Sequence, residues 1–216
     1  SPKKVVCLAT VTNELLQDAK PAIGAYVTKK MAQVIGAAID TKVFQNGNTT
    51  FTGLFYASNT FGNTELTSGT NPNTLTYQDI INCFTGVDMN YVANGAWHMS
   101  RSVYALVLGL VDSQNRPLIQ PTFENPLGSI FGYPVRIIEK APDSSVAASK
   151  PIILFGDLSN SVVGDITGVR FDLFDSGTVG GTSLIENDLT GIRAVKRVGF
   201  TPGLTSAYSV IKTAAS

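Results

Sequence analysis

Residues 11–45, VTNELLQDAKPAIGAYVTKKMAQVIGAAIDTKVFQ, decide how the rest of the chain is read. Pro21 suits the first position of a helix, where a missing N–H costs nothing. Ile23, Val27, Met31, Val34 and Ala38 then recur at helical spacing and fall within about 40° of one direction. Lys29, Gln33 and Asp40 lie on the opposite side. The pattern predicts a long amphipathic helix from about residue 21 to about residue 45. Gly36 inside it costs about 1 kcal/mol relative to alanine and is expected to permit close packing. Asn46-Gly47-Asn48 stops the helix, with Gly47 as a left-handed cap.

Working outward, residues 5–11 read as a strand and residues 12–16 as a short capped helix. The polar tract 46–73, dense in Asn, Gly and Thr, reads as a loop-rich connection. Thr76 caps a short helix through Ile80, Ile81 and Phe84, with Asp79 favourable in its first turn. Residues 92–98 read as a strand. Ser100 caps a helix in which Val103, Ala105, Leu106, Leu108, Leu110 and Val111 are expected to be largely buried. Residues 112–117 form a turn, and residues 133–138 another strand. The last third is β-rich, with strands at 152–155, 169–173, 192–198 and 208–212. The class is α+β with mixed or antiparallel strands, because helices and strands do not alternate regularly.

Composition removes whole classes of function. With 44% hydrophobic and 15% charged residues the 216-residue chain is no disordered segment. Sixteen basic residues balance sixteen acidic ones, which argues against a long-range grip on nucleic acid or an anionic membrane. The longest apolar stretches, such as 103–111, are too short to span a bilayer. His98 is the single histidine, so no multi-histidine metal site or zincin motif is possible. Cys7 and Cys83 sit among apolar residues without a CxxC and read as reduced core thiols.

The remaining candidate motifs carry little chemistry. Asp157, Asp165, Asp172 and Asp175 could suggest a cation site or an acid–base pair, but such work needs carboxylates that converge. Asp172 lies on the polar side of a strand, and Asp157 and Asp165 each follow a glycine in a turn, so they read as turn and solvent-facing acids. His98, beside Trp97, has no marked nucleophile or acid partner and reads as structural. Gly62, Gly69, Gly128, Gly132, Gly177, Gly180 and Gly181 fall in turns and compose no phosphate-binding loop. Lys196, Arg193, Arg197, Phe200 and Tyr208 resemble a basic, aromatic nucleic-acid patch, but strand alternation splits the cluster across two faces. Lys3-Lys4 reads as a solvated strand start, and the sequon at Asn48 as unused. The expectation is no enzyme: no catalytic, cofactor-binding or metal-binding residue is assigned.

The order of segments carries a resemblance. VTNELLQDA at 11–19 resembles the S-x-E-L-L-x-D-S/A segment of tailed-phage major capsid proteins of Hong Kong 97-like fold. FQNGN at 44–48 resembles the F-x-x-G-x-G that ends the family's long helix, with Asn48 in place of the second glycine. WHMS at 97–100 is similar to W-x-M-[NS]. LVDSQNRPL at 110–118 is similar to L-x-D-x-x-G-R-P-L, with Asn115 in place of glycine. GYPV at 132–135 and FGDLS at 155–159 match G-Y-P-V and F-G-D-[FL]-S. Together the six segments keep the family's order over nearly the whole chain.

The resemblance implies a peripheral domain with the long spine helix and long strands over 1–70 and 155–199. It implies an axial domain, a mixed sheet with flanking helices, over 71–154 and 200–216. Family members carry an N-terminal arm and an extended loop ahead of the first matched segment, so this chain is expected to be an N-terminally truncated fragment, monomeric by itself. The implied function is a major capsid subunit that self-assembles into hexamers and pentamers of an icosahedral shell around double-stranded DNA. The implied partners are copies of itself, a portal, scaffolding or decoration proteins, and packaged DNA through non-specific contact, with no membrane. The implied location is the virion, with the host cytoplasm during assembly. An encapsulin-like nanocompartment shell is the alternative on the same fold.

Overall fold

The computed structural model describes residues 2–18, 23–45, 52–56, 61–65, 69–111, 116–117, 127–145 and 148–214. Strand β1 (Lys3–Thr12) leads into helices α1 (Asn13–Asp18) and α2 (Ile23–Phe44), then β2 (Gly62–Glu65). Next come α3 (Tyr77–Thr85), α4 (Met89–Val92), β3 (Ala96–Met99) and α5 (Arg101–Leu108). Strands β4 (Ser129–Ile130), β5 (Tyr133–Ile137) and β6 (Pro151–Gly156) follow. The long β7 (Ser161–Phe174), the short β8 (Thr178–Val179) and β9 (Thr182–Ser183), the long β10 (Leu189–Pro202) and β11 (Tyr208–Lys212) complete the order. Two compact units result, 1–40 with 163–199 and 41–162 with 200–216, so the divisions fall inside α2, β7 and β10.

The first unit is a three-stranded sheet, ordered β1-β10-β7. β1 and β10 pair antiparallel from Lys3↔Val198 to Thr12↔Leu189. Gly191 lies against Phe174 and Gly199 near Gly164, so β7 runs opposite to β10. Alternation puts Val5, Cys7, Ala9 and Val11 on one face with Ile192, Ala194, Val169 and Phe171. Helix α2 seals that face with Ile23, Val27, Met31, Ile35 and Ile39.

This stripe corrects the expected one. Ile35 is 2% exposed while Val34 is 55% exposed, and Ala38 is half-buried. The buried residues step by four, and an i±4 row is inclined about 26° to the helix axis. The contact line therefore winds around the helix and selects Ile35 over its neighbour. Gly36 is exposed, and a Cβ there would meet nothing within 4 Å, so it serves no close packing within the chain. Pro21 and Gly47 lie outside the described residues.

The second unit is a six-stranded mixed sheet, ordered β2-β11-β6-β3-β5-β4. β2/β11 and β3/β5 are parallel, and the remaining pairs are antiparallel. Every residue of β3, β6 and β11 is buried, as expected of strands covered on both faces. One face packs Trp97, Met99, Ile153, Phe155 and Ile211 against Ile80 and Cys83 of α3 and Val103 and Val107 of α5. Trp97 and Phe155 lie 4.5 Å apart between ring centroids, and the indole N–H donates to the Ile130 carbonyl at 3.1 Å. The other face carries His98, Leu154, Tyr208 and Val210, with Phe61 5.1 Å from the Tyr208 ring.

Local chemistry sets the helix starts. Thr76 accepts from the Asp79 N–H while the Asp79 carboxylate accepts from the Thr76 N–H, a reciprocal capping box. Ser100 caps α5 through the Val103 N–H. Two expectations need correction here. Ala105 and Val111 are exposed, and α5 buries Val103, Tyr104 and Val107 instead, since only one side of a two-turn helix meets the sheet. The strand expected over 92–98 begins only at Ala96, because Asp88 caps a helical turn over Met89–Val92. β2 arises in the tract read as loop, paired to β11. Residues 112–115 of the expected turn, and 46–51, 57–60 and 66–68 of the polar tract, lie outside the described residues.

Candidate functional site: interaction surfaces and a polar cleft

The four aspartates do not converge, and three of them are committed to local structure. Asp157 accepts from the Ser159 N–H at 2.9 Å and so caps a short 3-10 turn at Leu158–Asn160. Asp165 pairs with Lys196 at 2.8 Å. Asp172 sits between two guanidinium groups, Arg170 at 2.9 Å and Arg193 at 2.7 Å. Those hydrogen bonds, Arg170's first, hold its carboxyl at about 2, below the usual carboxylate range. Asp172 is therefore an ion-pair centre rather than a solvated acid. Asp175 is exposed and has no cationic partner among the described residues.

The basic cluster is divided as alternation requires. Lys196 shares the α2-facing side with Ala194, while Arg193 lies on the opposite side with Asp172. Arg193 also sits 5.8 Å from the Phe174 ring. The two cysteines are free thiols, one in each unit. Burial pushes the Cys83 thiol up to about 12, which keeps it protonated and inert.

His98 occupies a position that sequence reading undervalued. It is 2% exposed, and neither ring nitrogen has a hydrogen-bond partner among the described residues. Burial, reinforced by the charge of Arg136, lowers its pKa to about 4, so the imidazole is neutral at neutral pH. It lines a cleft of about 190 Å³ together with Asn94, Arg136, Asp157 and Ser159. Arg136 and Asn94 were not foreseen; the available signal was the alternation in YPVRI, which turns Arg136 away from Val135. A larger cavity of about 820 Å³ is bordered by Ser100, Arg101, Ser102, Glu139 and Asp143. Its hydroxyls are committed: Ser100 accepts from Val103 N–H and Ser102 from Ser144 N–H.

Exposed apolar side chains mark the surfaces. Val6 and Leu8, 46% and 51% exposed, lie on the face of the first sheet opposite α2. Tyr26 and Val34 stand on the outward side of α2, and Val162, Val163 and Ile166 on β7 are likewise open.

A sequence description of the Phage capsid family matches residues 1–213. The chain belongs to the phage capsid family. It is 23% identical over 227 residues to the capsid polyprotein of Pseudomonas phage PAJU2, covering 97% of this chain and 33% of that protein. The chain thus spans about one third of that curated relative. The capsid of an empty GTA particle superposes with TM-score 0.81 at 19% identity, covering 99% of this chain and 74% of that one. The corresponding values for Microbacterium phage Oxtober96 are 0.70, 21%, 98% and 72%. For Mycobacterium phage Adephagia they are 0.68, 16%, 100% and 73%. The fold is the Hong Kong 97-like one that the six segments implied. No helix among the chain's described residues is long and apolar enough to cross a membrane.

Proposed function

We propose that this capsid chain forms the body of the major head subunit of a tailed phage, arranged as hexamers and pentamers of an icosahedral shell around double-stranded DNA. The observation that carries the reading is the family match over 1–213 on a fold that superposes on particle capsids over 98–100% of its length. The first unit, with the long helix α2 and long strands β7 and β10, supplies the peripheral part. The second unit, with the closed mixed sheet, supplies the axial part. Net neutrality suits a subunit that packs against many copies without accumulating repulsion. Portal, scaffolding and decoration proteins meet the same shell, and assembly takes place in the host cytoplasm.

Particle composition tests this directly. Particles purified from the source are expected to contain this chain as the major protein, in five- and six-membered rings by electron microscopy. They are also expected to hold nuclease-protected double-stranded DNA. Shells that enclose a protein cargo and no nucleic acid would assign the same fold to a nanocompartment instead.

A further inference from the structure

The His98 cleft is unexplained by the shell-building role. The His98 ring nitrogens have no hydrogen-bond partner among the described residues, a polar demand that a group seated in the cleft would meet. His98 lies on β3, and its register partner on the neighbouring parallel strand is Arg136 of β5. Arg136 is exposed and forms no ion pair among the described residues. Asn94 and Ser159 add a carboxamide and a hydroxyl to the rim.

The cleft is electrically two-ended. The charged or titratable groups around His98 are Arg136 on β5, Asp157 just beyond β6 and Tyr208 on β11, while β6 itself contributes Leu154. The Arg136 charge acts on His98, whereas the Asp157 charge acts on Tyr208. Asp157 is further engaged by the Ser159 N–H. The cleft therefore presents the Arg136 guanidinium, unpaired among the described residues, and an imidazole N–H, while its one carboxylate, Asp157, is engaged by the Ser159 N–H.

The geometry points to a carboxylate-binding subsite at the His98–Arg136 end of this cleft, sized for one side chain or one small organic acid. A carboxylate there accepts from the guanidinium and from the imidazole N–H, and by stabilising the imidazolium it favours uptake of a solvent proton on the second ring nitrogen. Two sources share this chemistry: a free small carboxylate and an acidic side chain of a neighbouring copy. Glu14, Asp40, Asp175 and Glu186 are exposed and unpaired among the described residues. The copy source rests on the shell reading above; the subsite itself does not.

The single histidine makes the site readable without assignment, since the full chain yields one imidazole Cε1–H resonance. Sodium acetate titrated against sodium chloride of equal ionic strength is expected to shift that resonance saturably and to raise the His98 midpoint by about one pH unit or more. Arg136→Gln is expected to weaken acetate binding about tenfold, and Arg136→Lys to retain most of it. A shift that follows ionic strength alone, or an Arg136→Gln response equal to the parent's, overturns the subsite. A protein concentration series without acetate separates the sources. Movement with concentration that Arg136→Gln abolishes assigns the carboxylate to a neighbouring copy, and a static resonance assigns it to a free acid. Light scattering on the same samples reports particle formation separately, so particles with a silent His98 remove the copy source and leave the shell reading intact.

Discussion

The two units solve the same packing problem to different degrees. In the second, the central strands β3, β6 and β11 are buried at every residue, and helices seal the face that carries Trp97 and Phe155. In the first, α2 covers one face of a three-stranded sheet and Val6 and Leu8 stay exposed on the other. The closed unit holds its stability internally. The open unit keeps apolar side chains in solvent, which suits the shell role proposed above.

Trp97→Ala should break the closed unit most severely. It deletes a ring stacked against Phe155, opens a cavity and orphans the Ile130 carbonyl, for a loss of about 3–5 kcal/mol by urea unfolding. Ile35→Ala is the counterpart in the open unit, expected to cost about 2–4 kcal/mol, while Val34→Ala stays within about 0.5 kcal/mol. Equal losses at positions 34 and 35 would dissolve the winding stripe on α2.

Acid sharpens the contrast, because the only histidine lies in the closed unit. His98 titrates near 6.5 unfolded and about 4 folded, so the unfolded chain binds more protons between those values. The contribution is fully present above pH 6.5 and is lost as pH falls toward 4, about 3 kcal/mol in all. In His98→Leu this pH-dependent loss should be absent, so its stability relative to the parent should rise as pH falls through that window, as read by thermal melts from pH 7 to 4. Leu8→Ser, on the open face, should change unfolding free energy by no more than about 0.5 kcal/mol, because the side chain is already half in water. The smallest effect belongs to Asp172. Its ionised form is favoured by Arg170 and Arg193, so its pairing persists down through the ordinary carboxylate range and fades only as pH falls through about 2. Carboxyl ¹³C shifts should place that midpoint, and Arg170→Gln should raise it.

Much of this arrangement was readable from residue order. Strand β11 was expected over 208–212 and runs Tyr208–Lys212; β5 and β6 differ from expectation by one residue or so at their ends. These segments pair strong β-formers with clear turn residues, so local preference and tertiary pairing agree. The split of Lys196 from Arg193 also followed from strand period alone. By contrast β2, in GNTE, has no apolar signature; it exists because the edge of β11 offers it a parallel partner. The run Val5-Val6-Cys7-Leu8 announced a strand and left open which side would be covered.

The polar cleft was less accessible still. His98 and Arg136 are 38 positions apart by number, and their adjacency is created by the parallel pairing of β3 with β5. No periodicity within either strand encodes that pairing. By itself the amino-acid order determined most of the elements and the α+β class, because helix and strand periods and turn chemistry are properties of neighbouring residues, and six ordered segments carried the resemblance to the family. Only the tertiary structure decided that Ile35 rather than Val34 is buried, that Asp172 is held between two arginines, and that His98 lies beside Arg136 without a hydrogen-bond partner among the described residues. Burial and charge pairing depend on which distant segments arrive alongside, and distance along the chain carries no record of that.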